Sequence, residues 1–260
     1  MSALPRKPTA ADDPLPAMLE PELDEEDGEP MESTWHRDQM VLLIEQIRHH
    51  WRRRRDYFVG GNMFIYFDIK QTLPNGKKRK FRGPDFFVAK GVQYNPLRPI
   101  YVVWREEGRY PHFILELLSK KTKKTDRTIK KEVYQSIFRT PEYLLYDPDK
   151  EKLEGFRLVD MVYEPMEPDA RGWLWCEELQ LWIGKWQGAY QGCDAVWIRF
   201  YDAHGAVVPL SSEESQALLA AERRQKEDAL KSVEAERKRA EAAEAELARW
   251  KRGPKRTGKE

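Results

Sequence analysis

At 260 residues, with 34% charged and 12% aromatic side chains and a mean hydropathy of −0.78, the chain can bury one substantial core and must carry very polar segments beside it. Only two cysteines occur, Cys176 and Cys193, with no CxxC and no Cys/His pairing at zinc spacing, which excludes a disulfide framework and a structural zinc. No apolar run approaches about eighteen residues and the first residues are Pro-rich and acidic, unlike a secretory signal, so no membrane partner is expected and a cytoplasmic protein is.

The net charge of +1 conceals an asymmetry. Residues 1–30 hold two basic and nine acidic side chains, whereas residues 31–140 hold 24 Lys/Arg against 11 Asp/Glu. A basic excess on one segment favours a polyanionic partner.

In chain order, residues 1–32 combine Pro with clustered acid and almost no aromatics, the composition of a disordered tail. Thr34 can cap a helix running to about Arg54, with Met40, Leu43, Ile44, Ile47 and Trp51 forming one apolar stripe. His36 and Glu45 lie on that helix, and Arg52 to Arg55 close it, which suits the negative end of the helix dipole and phosphate alike. Asn62 to Ile69 reads as a strand, and Pro74-Asn75-Gly76 marks a turn before the basic run Lys77 to Lys80. Asp85 opens the next strand, Ile100 to Trp104 is a third and Phe113 to Leu118 a fourth. Ser119 to Lys124 is a basic loop feeding a helix from about Thr125 to Phe138, and Glu142 to Tyr146 returns as a strand. A strand, helix, strand crossover of that length suits a parallel pair.

From Lys152 to about Tyr201, short strands carry Trp173, Trp175, Trp182, Trp186 and Trp197 between polar residues, expected as an antiparallel addition to the sheet with the Trp set in the core. Residues 33–210 then form one domain. Residues 211–252 read as a charged helix whose heptad seam, Leu230, Val233, Arg237, Ala240, Glu244 and Leu247, is interrupted by two charges. A weak coiled coil is the reading it invites, with a second copy (a homodimer) or a partner chain. Residues 253–260 form a second tail.

Two carboxylates stand where folding alone would not put them. Asp85 opens the apolar run PDFFVA and Glu116 lies inside HFILELL; a charge in such a run is rarely buried without a partner, and two acids on neighbouring strands can share a divalent cation. Asp126, Lys130 and Tyr134 follow at i, i+4, i+8, on one face of a helix, so an ammonium can be delivered near the acids. Phosphodiester hydrolysis with a metal needs oxygen ligands, a water and positive charge, and Asp85, Glu116 and Lys130 supply these in kind. The competing reading makes Asp85 a turn residue after Gly83-Pro84 and Glu116 one half of a structural ion pair, and spacing does not decide between them. Lys77, Lys78 and Lys80, with Lys120, Lys121, Lys123 and Lys124, suit contacts to phosphate.

The series PDFFVAKG, then W-x-E-G, ILELLSKKT, Asp126-x₃-Lys130-x₃-Tyr134 and EYLLYDP resembles the Uma-type family of restriction endonucleases, within the PD-(D/E)XK nuclease superfamily, over about residues 33–165. The resemblance implies an α/β restriction-endonuclease-like core, a mixed central sheet flanked by helices, here with an antiparallel extension and a long C-terminal helix. It implies an endonuclease acting on DNA, with Asp85 and Glu116 binding Mg²⁺ or Mn²⁺. The superfamily's lysine should stand two residues after the acid, where this chain has Leu118. Lys130 is the expected substitute and Lys131 its neighbour; His36 and Glu45, with Asp126 and Tyr134, are candidate accessory groups. The alternative is a catalytically inactive nuclease fold that binds nucleic acid or a partner.

Overall fold

Strands buried on both faces read as unbroken apolar runs, and two such runs, FILEL and EYLLYD, form the centre of the main sheet. The computed structural model describes residues 33–68 and 81–251. The acidic segment 1–32, the Pro74-Asn75-Gly76 turn, the run Lys77 to Lys80 and the segment 253–260 lie outside the described residues. The main sheet has the order β1 (Tyr57–Gly60), β4 (Phe86–Lys90), β6 (Phe113–Leu117), β7 (Glu142–Asp147), β8 (Lys152–Val159), β9 (Val162–Pro165). Only β6 and β7 are parallel, joined by the expected helical crossover; every other neighbour is antiparallel. A small second sheet sets β2 (Ile65–Tyr66) between β3 (Phe81–Arg82) and β5 (Tyr101–Val102).

The first helix, Thr34–His50, covers one face of the main sheet. Leu43 and Ile47 pack there with Phe86, Val88, Phe113 and Leu115. Its cap is Ser33, whose hydroxyl accepts the His36 N–H at 3.2 Å, one residue before the expected Thr34. The helix stops at His50 and Trp51, short of the expected Arg54, leaving Arg52 to Arg55 in the following turn. Of the strand expected over 62–69, Ile65–Tyr66 forms among the described residues, its start delayed by the left-handed conformation of Asn62 (φ 46°), and Ile69 lies outside them. The strand expected over 100–104 likewise passes into a 3₁₀ turn, Val103–Glu106, after two residues.

The antiparallel extension divides in two. β8 and β9 lengthen the main sheet, whereas β10 (Leu174–Cys176), β11 (Leu181–Tyr190) and β12 (Cys193–Tyr201) form a separate sheet. That sheet packs Leu174, Ile183, Ile198 and Phe200 into the same core as the first helix. Two buried glutamines fasten the contact: Gln39 donates to Ile198 O (2.9 Å) and accepts from Ile198 N (2.8 Å), and Gln46 accepts from Phe200 N (3.0 Å) while donating to Val208 O (2.6 Å). Each amide thus satisfies strand groups that an unpaired edge would leave open. Of the tryptophans expected in the core only Trp197 is fully buried; Trp173, Trp175, Trp182 and Trp186 are half-buried. Trp173 stacks on Tyr201 at 3.7 Å and lies against Gly184, where a Cβ would come within 2.1 Å of its ring.

The second helix, 123–138, covers the opposite face of the main sheet, placing Val133, Tyr134 and Phe138 against Phe87, Ala89, Ile114 and Tyr143. It is α-helical over Lys123–Thr125 and Lys131–Val133 and opens into wider π turns over Asp126–Lys130 and Tyr134–Phe138.

The chain divides into two compact units between Val208 and Pro209. The second unit contains a 41-residue helix, Ser211–Lys251. Within it, Leu218, Leu219, Leu230, Val233 and Leu247 are exposed, and ion pairs at i, i+4 spacing such as Lys226–Glu222 and Lys238–Glu234 line the helix. Each such pair contributes about 0.2–0.5 kcal/mol of local support. Among the described residues no helix is long and apolar enough to cross a membrane.

Candidate active site

The ladder between β4 and β6 ends at Phe86 opposite Leu115, so Asp85 and Glu116 face each other one step beyond it. There the side chains take over from the backbone: Asp85 N–H donates to Glu116 Oε2 (3.2 Å), and Leu117 N–H donates to Asp85 Oδ2 (2.7 Å). By the two-residue period of a strand, Glu116 shares the face of Ile114, which the second helix covers. Gly61 permits the arrangement at the backbone, since a Cβ there would sit 2.3 Å from Asp85 O and 2.6 Å from the Met40 side chain.

From the second helix, Lys130 Nζ lies 2.9 Å from Glu116 Oε2 and 3.0 Å from Asp126 Oδ1, and Tyr134 Oη donates to Glu116 Oε1 at 2.9 Å. Glu116 and Asp126 are fully buried, Asp85 is half-buried, and 17% of the Lys130 side chain remains open to solvent. In a regular α-helix, residues four apart drift by about 40° per step, so three in a row would not all meet one carboxylate. The two π turns reduce that drift, and Asp126, Lys130 and Tyr134 all reach the Glu116 end of the sheet.

Burial pushes the Glu116 carboxyl up to about 8, with Lys130 opposing the shift and Asp85 and Asp126 adding to it. Burial raises Asp85 as well, against the pull of Lys130 and the Leu117 amide. For Lys130, burial works against the charge, but Glu116, Asp85 and Asp126 outweigh it and hold the amine protonated beyond the usual lysine range. Tyr134 is lifted well above the ordinary phenol by burial and by Glu116, so it keeps its proton and donates it. Three carboxylates surround one ammonium, and the fully ionised cluster carries surplus negative charge. Hard oxygen donors with that surplus are what a divalent cation requires. Among the described residues no group of three or more His, Cys, Asp and Glu side chains converges as a metal cluster.

The remaining candidates separate. His36 stands beside the site with its ring committed: Nε2 is 3.2 Å from Leu117 O and Nδ1 is 2.9 Å from Ser33 Oγ. A carbonyl only accepts, so Nε2 carries the proton and has no lone pair to offer a cation. Glu45 lies elsewhere, exposed, its Oε2 accepting the Tyr190 hydroxyl at 3.2 Å. Leu118, where the superfamily's lysine would stand, is buried in the core beside Val133 and Tyr134. Lys131 points away, its Nζ 3.4 Å above the Phe156 ring. Ser119 and Thr122 close the intervening loop, the Ser119 hydroxyl accepting from the N–H groups of Lys121 (3.2 Å) and Thr122 (3.0 Å). Lys120 and Lys121 are exposed on it and Lys124 on the first turn of the helix, whereas Lys123 is tied to Asp147 at 2.5 Å; Lys77, Lys78 and Lys80 lie outside the described residues. The backbone groups that hold the site, Leu117 N–H on Asp85 and Gly83 O, which accepts from Lys130 Nζ at 3.4 Å, carry no sequence signal.

The family model described as "Uma2: Putative restriction endonuclease" matches residues 20–185, more than half of the chain. The chain belongs to this family. Its mixed α/β core is accordingly restriction-endonuclease-like, with Asp85, Glu116, Asp126, Lys130 and Tyr134 gathered at one end of the sheet. The chain is also similar to a solved structure from Anabaena variabilis ATCC 29413, a putative nuclease belonging to DUF820, at 18% identity. The match covers 54% of this chain and 72% of that one with a TM-score of 0.39. No curated protein matches the chain.

Proposed function

We propose that this Uma2-family chain is a divalent-metal-dependent endonuclease that hydrolyses DNA phosphodiester bonds. The observation that carries the reading is the placement of Lys130 within 2.9 Å of Glu116, itself hydrogen-bonded to Asp85, which restores by a helix the ammonium that Leu118 removes from the strand. Asp85 and Glu116 would hold Mg²⁺ or Mn²⁺, which when bound supplies Lewis acidity toward phosphate and a more acidic water. Lys130 places a permanent positive charge where charge builds on the phosphate, and Tyr134 holds Glu116 in one rotamer through its hydroxyl. The exposed Lys120 and Lys121 on the loop beside the site, with Lys124 on the first turn of the helix, suit the flanking backbone of a nucleic acid. A nucleic acid as substrate also follows from the family's description.

One observation favours a second reading, an inactive nuclease fold that binds nucleic acid without cutting it. The Lys130 ammonium already contacts both Glu116 and Asp126, as a structural ion pair would. Cleavage of plasmid and short duplexes with Mg²⁺ or Mn²⁺ separates the two. Activity that disappears in Asp85→Ala and in Glu116→Ala supports the endonuclease; wild-type protein that binds DNA but is inert under every condition supports the alternative.

A further inference from the structure

Asp126 is the buried acid that the proposed chemistry leaves unused. It is sealed from solvent, its Oδ1 is in ion-pair contact with Lys130 at 3.0 Å, and neither oxygen receives a well-directed hydrogen bond. A buried carboxylate left in that state is costly, so its retention calls for a role. Glu116 is in the opposite condition. Its Oε2 takes both Lys130 Nζ (2.9 Å) and the Asp85 N–H (3.2 Å), and its Oε1 takes the Tyr134 hydroxyl (2.9 Å). Both lone pairs of Oε2, the oxygen on the Asp85 side, are thus taken, and one of its two donors must leave before that oxygen can take a cation shared with Asp85. The Asp85 N–H is fixed in the backbone and Tyr134 is fully buried, whereas Lys130 has a flexible stem with 17% of its side chain open.

We propose that Lys130 is handed from Glu116 to Asp126 when the site takes a divalent cation, with Asp126 as the positioning residue that draws the ammonium aside and keeps it in the pocket. The inference rests on the metal-nuclease reading above. Asp126 sits one turn before Lys130 on the same helix, and the Tyr143 hydroxyl, donating to Asp126 O at 2.8 Å, pins that turn to the sheet. The under-bonded carboxylate is an acceptor already in place for the ammonium that Glu116 releases, so opening Glu116 does not strand a buried charge.

Calorimetric titration of the full chain with Mn²⁺ and with Mg²⁺ tests the handover without reference to cleavage. Wild type should bind and Glu116→Gln should not. Asp126→Asn should bind about tenfold more weakly, because Lys130 then has no second anchor and competes for Glu116 at full strength. Lys130→Met should bind at least as tightly as wild type, and Asp126→Asn combined with Lys130→Met should match Lys130→Met alone. A double variant weakened by the same factor as Asp126→Asn overturns the handover, since Asp126 would then act on the cation directly. So does an Asp126→Asn protein with wild-type affinity. Should Asp126→Asn fail to fold, the Lys130→Met titration decides alone, and weaker binding there overturns the proposal. Binding undiminished in Glu116→Gln, or absent in wild type, overturns the metal-site reading on which the handover depends.

Discussion

Two fully buried glutamates stand on adjacent strands of the main sheet, and the chain treats them differently. Glu142, at the start of β7, accepts from Arg157 (3.0 Å) and from the backbone N–H groups of Glu177 (2.8 Å) and Glu178 (3.2 Å). It has one cation to itself. Glu116, toward the far end of β6, shares a single ammonium with Asp85 and Asp126. Burial raises the carboxyl pKa of both, so a buried and shifted acid does not by itself mark a functional site. What separates them is charge balance: the Glu142 group is closed, and the Glu116 group retains negative charge that the protein does not neutralise. The first group is closed within the protein, and the second is where the proposed cation would sit.

The sharpest way to break this contrast is to neutralise each glutamate in turn. Glu116→Gln should lower DNA cleavage by about 10²–10³-fold or more, whereas Glu142→Gln should cleave at close to the wild-type rate. Equal losses in single-turnover cleavage would mean that both variants act through the fold. On the helix, Lys130→Ala should lose about 10²-fold in the cleavage step, and Lys131→Ala, whose amine rests on Phe156, should lose little. Full activity of Lys130→Ala in the same assay would show that the ammonium facing Glu116 is structural.

Stability should respond in the reverse order. Glu142→Ala leaves the Glu177 and Glu178 amides without an acceptor and takes the carboxylate from Arg157, which keeps its bond to Trp175 O (2.9 Å), and should cost about 2–3 kcal/mol by urea denaturation. A larger loss is not expected, because 42% of the Arg157 side chain is open and can turn to water. A loss within error would indicate that the closed group contributes nothing net.

The fold and the Glu116 side of this contrast are legible in the sequence, for identifiable reasons. The doubly buried strands announced themselves as apolar runs, the crossover helix by its length, and the pair Asp85 and Glu116 as charges inside those runs. The i, i+4, i+8 series brought Asp126, Lys130 and Tyr134 to the acids, although a regular helix would have carried them out of line, and no residue pattern foretold the π turns. Glu45 was misplaced because a helical position says which face a side chain takes only once the packing of both faces is known; β11 supplied Tyr190 as its partner. Four of the five tryptophans are half-buried and not in the core, because alternation in a strand is the same whichever face is solvated and the expected single extension is divided between two sheets. Glu142 attracted no attention because the amides and the arginine that satisfy it come from segments 15 to 36 residues away.

The prediction that probes the surplus charge most directly is the pH dependence of stability without added metal. Glu116 is raised in the folded chain from an ordinary value of 4.5 to about 8. The folded state therefore binds more protons than the unfolded state between those values, and its stability falls as pH rises through that window. Below the window the contribution is fully present, and above about 8 it is gone. Asp85 and Glu142 are shifted upward too and add slopes of the same sign, whereas the stability contributed by the raised pKa of Lys130 is lost only above the ordinary lysine range. Urea denaturation between pH 5 and about pH 9 should accordingly show a decline that Glu116→Gln flattens and Glu142→Gln reduces less, since Arg157 and two amides favour the ionised form of Glu142. A slope unchanged by Glu116→Gln would mean that the proton is not held at Glu116, and the distinction between the closed and the open glutamate would then rest on geometry alone.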